Sequence, residues 1–165
     1  SIGAAVTDLR VGERVVINPG ISCRTCEWCA RGEHSLCTRF GLLGEHHPGS
    51  FAEFVVAPAA NLRRIPDSVP DEVAAAFTLA TLTAWRMCVT KAQVRTGEDV
   101  LIWGIGGGVA QAALRICKQL GARVWVTSSS DDKLARAAAM GADVCLNHAR
   151  EDVGRVVRER TGKRG

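Results

Sequence analysis

The chain has 165 residues, of which 47% are hydrophobic, and it carries a formal net charge of +4 at pH 7. This length and composition suffice for one buried core, or for one lobe and part of a second domain, and they exclude a disordered or fibrous chain. The charge is too modest to indicate nucleic-acid binding, and the sequence predicts neither a signal peptide nor an apolar stretch long enough to span a membrane.

The first part of the chain, residues 1–66, is rich in short β-branched runs separated by Gly and Pro. Runs of this kind predict short strands. The predicted strands cover residues 14–17, 51–57 and 62–65. Residues 1–66 therefore form the first of three predicted parts, a β-rich domain.

Four cysteines in this part follow the pattern C-x2-C-x2-C-x7-C: Cys23, Cys26, Cys29 and Cys37. The spacing brings four sulfurs within reach of one tetrahedral ion, and four thiolates at about 2.3 Å from Zn²⁺ leave no position for water, so the pattern predicts a structural zinc site. An iron–sulfur cluster is one alternative, although the bacterial ferredoxin run has a shorter last spacing followed by proline. Disulfides are the other alternative. Three further, scattered cysteines favour a reducing, cytoplasmic compartment instead.

Residues 67–97 form the second predicted part, a helical connection. The stretch 71–89 is alanine-rich and predicts a helix, with a break around residues 81–83.

Residues 98–165 form the third predicted part, in which strand and helix patterns alternate. Strands are predicted at 99–103, 123–127 and 144–146, and helices at 109–120 and 131–140. Parallel strands joined by helical crossovers make one mononucleotide-binding half of a doubly wound sheet. The predicted fold class is therefore α/β, with a partial Rossmann parallel sheet.

A glycine-rich turn separates the first strand and helix of this third part. A dinucleotide pyrophosphate can lie at the amino end of a helix only where the turn is tight and no Cβ keeps the backbone N–H groups from the phosphates. A strict G-x-G-x-x-G reading fails at Val109, whereas G-x-x-G-x-x-G/A fits Gly104, Gly107 and Ala110. The residues predicted to hold the pyrophosphate are Gly104, Gly106, Gly107, Gly108 and Val109.

The end of the second strand bears on which nicotinamide cofactor is bound. An acid there would bond the ribose 2′-OH of NAD, but the chain has Ser128, Ser129 and Ser130, with Lys133 one turn into the next helix. Hydroxyl groups and a cation suit a 2′-phosphate, so we expect NADP in preference to NAD, with Ser128, Ser129 and Lys133 at the adenosine ribose. An alternative is that Ser130 only caps the helix, and the two interpretations are compatible.

The last stretch of the chain mixes charges of both signs at helical spacing. This pattern is typical of a solvated helix face, and without interleaved aromatic residues it does not indicate nucleic-acid binding. The residues are Arg150, Glu151, Asp152, Arg155, Arg158, Glu159, Arg160, Lys163 and Arg164.

In this order, the features resemble the medium-chain dehydrogenase/reductase superfamily, which includes the zinc-containing alcohol dehydrogenases and the quinone and enoyl reductases. The resemblance is carried by the four cysteines, by residues 49–55 and 82–85, and by the glycine turn that opens the nucleotide domain. It implies a partial GroES-like β-barrel for residues 1–66, structural zinc on the cysteines, and NAD or NADP in the cleft between domains. Thr83 matches a family position that lines the nicotinamide side of that cleft.

The resemblance also implies an activity, namely hydride transfer between nicotinamide and an alcohol/carbonyl pair of a small-molecule substrate. Because family members are about twice this length, we expect the chain to be a fragment. The resemblance further implies that the full-length parent is a homo-oligomer. A family position that supplies a catalytic-zinc ligand falls on Leu79, which cannot bind metal, and no catalytic residue is assigned. Leu79 favours one alternative, an NADPH-dependent enoyl or quinone reductase without catalytic zinc. A second alternative is an inactive zinc-binding remnant.

Overall fold

The computed structural model describes residues 1–163, so Arg164 of the charged stretch lies outside the described residues. The backbone separates into two compact units, one of residues Ser1–Leu79 and one that begins at Ala80. The division into residues 1–66, 67–97 and 98–165 stays a prediction.

The first unit contains four short strands. They are β1 (Val15–Ile17), β2 (Gly20–Ile21), β3 (Gly41–Leu42) and β4 (Leu62–Arg64). Strand β1 pairs antiparallel with β4, and β2 pairs antiparallel with β3. The buried Asn61 connects the two pairs, because its side-chain amide donates hydrogen bonds to the carbonyl oxygens of Asn18 at 2.8 Å and Gly20 at 2.7 Å.

The predicted strand at residues 51–57 is wrong. A strand requires a neighbour that pairs with its backbone N–H and C=O groups, and none of the described strands pairs with this segment. Phe51, Phe54 and Val56 are consequently fully exposed. The β-branched composition of the segment favours a strand, but composition does not determine whether a second strand lies beside it to pair with its backbone.

A long helix follows the β-rich part. It consists of α2 (Asp71–Trp85) and a π-helical turn (Arg86–Lys91), and is preceded in the chain by the short α1 (Glu27–Ala30). The predicted break at residues 81–83 is wrong: the helix continues through them and changes geometry at Arg86. Threonine has only a slightly lower helix propensity than its neighbours, and burial of Ala84 and Cys88 in the core decides the conformation instead.

The continuous helix Asp71–Lys91 has 21 residues and a mean hydropathy of 1.3 over its most apolar window, of which 17% is buried. By length and composition alone it is long enough to cross a bilayer, a criterion that core helices of soluble proteins also meet. The sequence prediction that no such stretch exists is therefore wrong.

The second unit is built on a three-stranded parallel sheet in the order β5-β6-β7. Its elements are β5 (Asp99–Ile102), α3 (Gly108–Gln119), β6 (Arg123–Ser128), α4 (Asp131–Ala139), β7 (Val144–Asn147) and α5 (Val153–Arg160). This order confirms the predicted α/β class and the βαβαβ pattern.

Alternate residues of the central strand β6 belong to two cores. Val124 and Val126 pack with buried residues of α3 and α4, including Leu114. Trp125 packs with Leu146 and Val153, the latter at the start of α5. Because successive side chains of a strand point to opposite faces, helices cover both faces of this sheet.

A solvent-accessible ion pair between Lys118 and Asp143 connects α3 to the sheet. The carboxylate of Asp143 accepts hydrogen bonds from Lys118 Nζ at 2.7 Å and from the backbone N–H of Val124 at 2.6 Å. Partial burial alone would raise the pKa of Asp143, but the bonds from Lys118 and Val124 outweigh it and hold the pKa below its ordinary value. The carboxylate therefore stays ionised in the fold.

Candidate functional site

The four cysteines of the predicted metal site come together in the structure. Cys29 lies within α1, Cys23 and Cys26 precede this helix, and Cys37 follows a 3₁₀ turn at His34–Leu36. Their sulfur atoms all lie within 4.8 Å of one another. The predicted ligand set is thus assembled by a short loop with no contribution from distant strands.

The sulfur atoms fit a zinc ion. A tetrahedral site with Zn–S bonds of about 2.3 Å separates its sulfurs by about 3.8 Å, and the Cys23 and Cys29 sulfurs are 3.9 Å apart. All seven cysteines carry free thiols, which disagrees with the disulfide alternative. Four thiolates form a closed coordination shell, so an ion here would hold the loop together and would perform no chemistry.

Hydrogen bonds donated to two of the sulfurs lower the pKa of their thiols and so favour the thiolate form that binds a cation. The pKa of the Cys23 thiol is lowered to about 5 by hydrogen bonds from the backbone and the hydroxyl of Thr25 and from the backbone of Cys26. The backbone N–H of Cys29 likewise lowers the pKa of Cys26. Burial raises the pKa of Cys29 to about 11, and the neighbouring Cys26 sulfur adds to this effect. A cation among the sulfurs would remove that penalty, because it stabilises every thiolate it contacts.

A second candidate site is the glycine turn between β5 and α3. Gly104 has φ +81°, a left-handed conformation that favours glycine. Two bonds fix the turn to β6: the N–H of Gly104 donates to the Thr127 hydroxyl at 3.0 Å, and the N–H of Ile105 donates to the Thr127 carbonyl at 2.9 Å. Thr127 is fully buried. The sheet therefore fixes the position of the turn.

The turn leaves open space where phosphates would lie. Helix α3 begins at Gly108 with Gly107 as its N-cap, so the first N–H groups of the helix have no partner within it. A Cβ added at Gly104 or Gly107 would meet no atom within 4 Å, whereas one at Gly106 would lie 3.2 Å from Lys133 Nζ. Free N–H groups, the positive end of a helix and an adjacent ammonium group together favour an anion.

Two family models match the chain. The model described as the alcohol dehydrogenase GroES-like domain matches residues 1–67, and the model described as zinc-binding dehydrogenase matches residues 108–165. The chain belongs to the medium-chain dehydrogenase/reductase superfamily. The predicted resemblance is confirmed, together with a GroES-like domain at the start of the chain and a Rossmann-like domain at its end.

Individual relatives of the chain support the same family assignment. An L-threonine 3-dehydrogenase from Anaeromyxobacter dehalogenans is 43% identical over 163 residues, which are 96% of this chain and 45% of the relative. An alcohol dehydrogenase from Schizosaccharomyces pombe is 35% identical over 91% of this chain and 43% of the relative. The solved structure of an NAD-dependent alcohol dehydrogenase superposes with a TM-score of 0.94 at 48% identity, over 100% of this chain and 48% of that one. The chain thus spans about half the length of the relatives it matches.

The predicted ribose contacts differ in exposure. Ser129 and Lys133 are exposed, and the ammonium group of Lys133 lies beside Gly106, but Ser128 is buried, and its hydroxyl accepts a hydrogen bond from the N–H of Ser130 at 3.1 Å. Ser130 caps α4 by accepting from the N–H of Lys133, as the alternative interpretation predicted. Ser129 and Lys133 are therefore the members of the predicted set whose side chains are accessible, and their role at the ribose stays a prediction.

Thr83 and Leu79 both lie on α2 and are exposed. Their roles in this medium-chain dehydrogenase/reductase stay predictions. Sequence reasoning missed Thr127, which positions the glycine turn. The available signal was a threonine near the end of an otherwise apolar buried strand, where a hydroxyl needs a partner.

Proposed function

We propose that this chain is part of a zinc-binding, NAD(P)-dependent dehydrogenase that acts on the alcohol/carbonyl pair of a small molecule. The observation that carries the proposal is the glycine turn, fixed to β6 by Thr127 and open above Gly104 and Gly107. Membership of a family of dehydrogenases supports the same activity. A bound nicotinamide cofactor would supply or accept the hydride.

The chain's own residues would bind and orient that cofactor. The backbone N–H groups at the start of α3 would hold the pyrophosphate, because they are unpaired within the helix and lie at its positive end. Lys133, whose ammonium group lies beside Gly106, would neutralise the charge of a 2′-phosphate. Cys23, Cys26, Cys29 and Cys37 would hold structural zinc, whose contribution is to order the loop.

We infer a preference for NADP from the charges near the turn. Lys133 and Arg136 line a pocket of about 150 Å³ beside Gly106 and Gln111. A 2′-phosphate would gain the attraction of both cations, and Ser128 replaces the acid that would repel it. The 48% identical structure is that of an NAD-dependent alcohol dehydrogenase, and its cofactor is the alternative to NADP.

Calorimetric titration of the chain with NADPH and with NADH tests both the cofactor site and the preference for NADP. We expect tighter binding of NADPH, and Lys133→Gln is expected to weaken NADPH about tenfold and NADH by less than about twofold, because one charge pair is lost. Arg158→Gln, which removes the same charge from α5 on the other face of the sheet, is the matched control. Equal or tighter binding of NADH contradicts the NADP preference, and no binding of either nucleotide contradicts the cofactor site.

A second candidate function is an NADPH-dependent enoyl or quinone reductase without catalytic zinc. The observation that favours it is Leu79, an apolar side chain on α2 at the matched position of a catalytic-zinc ligand. The longer protein would then reduce activated alkenes or quinones after removal of any exchangeable second zinc. Loss of turnover on zinc removal, together with oxidation of alcohols, would instead support the dehydrogenase. Nucleotide binding without turnover on either substrate class would support the inactive remnant.

A further inference from the structure

The hydroxyl of Thr25 lies between a cation and a cysteine sulfur. Arg39 Nη2 donates to Thr25 Oγ1 at 3.3 Å, and Thr25 Oγ1 donates to Cys23 Sγ at 3.6 Å. A guanidinium group has donors but no acceptor, so the hydroxyl must accept from Arg39 and can use its single proton for the sulfur. The direction of both hydrogen bonds is therefore fixed by chemistry.

The same arginine contacts the other end of the cysteine loop. Its backbone N–H donates to Cys37 Sγ at 3.3 Å, and the backbone N–H of Cys23 also donates to Cys37 Sγ, at 3.2 Å. Arg39 thus contacts the first ligand through Thr25 and the last ligand directly. These two cysteines are 14 residues apart in sequence.

These hydrogen bonds would offset the negative charge of a zinc–thiolate centre. Four thiolates around Zn²⁺ leave a net charge of about −2, and hydrogen bonds donated to the sulfurs, above all from a chain that ends in a cation, offset that charge. Groups that hydrogen-bond to metal ligands orient them and commonly change metal affinity by about 10–100-fold when removed.

We propose that Arg39 and Thr25 form a relay that orients Cys23 and retains the zinc ion. Arg39 orients the hydroxyl and supplies positive charge, and Thr25 delivers the hydrogen bond to sulfur. Both are positioning residues, since neither side chain would bind the metal. The inference rests on the proposed structural zinc.

The experiment measures zinc release from the purified 165-residue chain to an excess of a chromophoric chelator. Thr25→Val removes the hydroxyl at nearly constant shape and is expected to accelerate release about tenfold. Thr25→Ser keeps the hydroxyl and is expected to stay within about twofold of wild type. In the cobalt-substituted chain, Thr25→Val is expected to shift the sulfur-to-cobalt charge-transfer band, a change that a general loss of stability would not produce.

A double-mutant cycle tests whether the two residues act in series. Arg39→Gln alone is expected to accelerate release about threefold, and the Thr25→Val/Arg39→Gln double variant is expected to match Thr25→Val within about twofold, because Arg39 has no hydroxyl left to orient. Two controls are matched. Thr38→Val removes an exposed hydroxyl next to Cys37, and Arg31→Gln removes a cation of the cysteine loop that pairs with Glu27.

The outcomes separate the relay from the zinc site. A wild-type chain that takes up no zinc refutes the structural-zinc proposal, and the relay with it. A wild-type chain that binds one zinc and releases it at the same rate as Thr25→Val refutes the relay alone. Acceleration by Arg31→Gln equal to that by Arg39→Gln also refutes it, because general charge would then account for the effect.

Discussion

Replacing Thr127 by valine should loosen the glycine turn from the sheet. The substitution keeps the shape of a fully buried side chain but removes the oxygen that accepts from the N–H of Gly104 at 3.0 Å. A part-buried N–H left without a partner costs about 1–2 kcal/mol, and for a chain of this size each kcal/mol lowers the melting temperature by about 2–4 °C. The bond from Ile105 to the Thr127 carbonyl is unaffected, so the turn should loosen without unfolding.

The assay combines thermal unfolding, followed by circular dichroism, with amide hydrogen exchange and nucleotide binding. Thr127→Ser is the control, because it keeps the hydroxyl and loses only a methyl group, at a cost of about 1 kcal/mol. Both variants should melt earlier, but only Thr127→Val should lose protection of the Gly104 amide and bind nucleotide more weakly. If the Gly104 amide stays protected in Thr127→Val, the Thr127 hydroxyl does not hold the turn.

Three further substitutions test other parts of the structure. Cys29→Ser should abolish stoichiometric zinc as measured by elemental analysis, while Cys145→Ser, outside the cluster, keeps it; a full complement of zinc in Cys29→Ser would refute the assigned ligand set. Asp143→Asn should lower the free energy of unfolding by about 1 kcal/mol at pH 7. The pKa of Asp143 is lower in the fold than in the unfolded chain, so its carboxylate stabilises the fold above about pH 4. That contribution disappears as the pH falls through the folded pKa. A stability difference between wild type and Asp143→Asn that does not change with pH in urea unfolding would contradict this account. Gly121→Ala should cost about 1–2 kcal/mol, since Gly121 has φ +78° and a Cβ there would lie 3.0 Å from a methyl carbon, and an unchanged urea midpoint would contradict it.

The parallel sheet was the part most easily predicted from sequence. The strands β5, β6 and β7 lie within one residue of their predicted ends, because each is a short, largely apolar run bounded by turn residues. The first crossover helix is followed by Gly121, whose φ of +78° is a left-handed conformation that glycine adopts readily. Local pattern sufficed there because local pattern and tertiary burial agree.

The errors arose where the conformation depends on distant residues. Residues 51–57 have strand composition, but pairing requires a second strand that no local pattern can supply. The helix over residues 81–83 persists because its neighbours are buried, which outweighs a weak local propensity. Segment composition thus predicted the wrong conformation in both places.

The candidate sites show the same contrast between local and distant information. The spacing of the four cysteines predicted which sulfurs meet, since a short loop determines that distance. It could not predict that Arg39 contacts Thr25, 14 residues away, because that contact depends on how the loop folds back. Burial of Ser128 was likewise unpredictable, since it depends on how the last strand residue packs beneath the next turn.

The π-helical turn at Arg86–Lys91 accommodates one residue more than a regular helical turn would. Each residue of a regular helix advances the direction of the side chain by about 100°. Deleting a single residue just before Cys88 would let the helix become regular, and Cys88 would then keep its inward direction. A chain one residue shorter at this point should therefore retain the same core, because the widened turn absorbs the extra residue without rotating the side chains that follow.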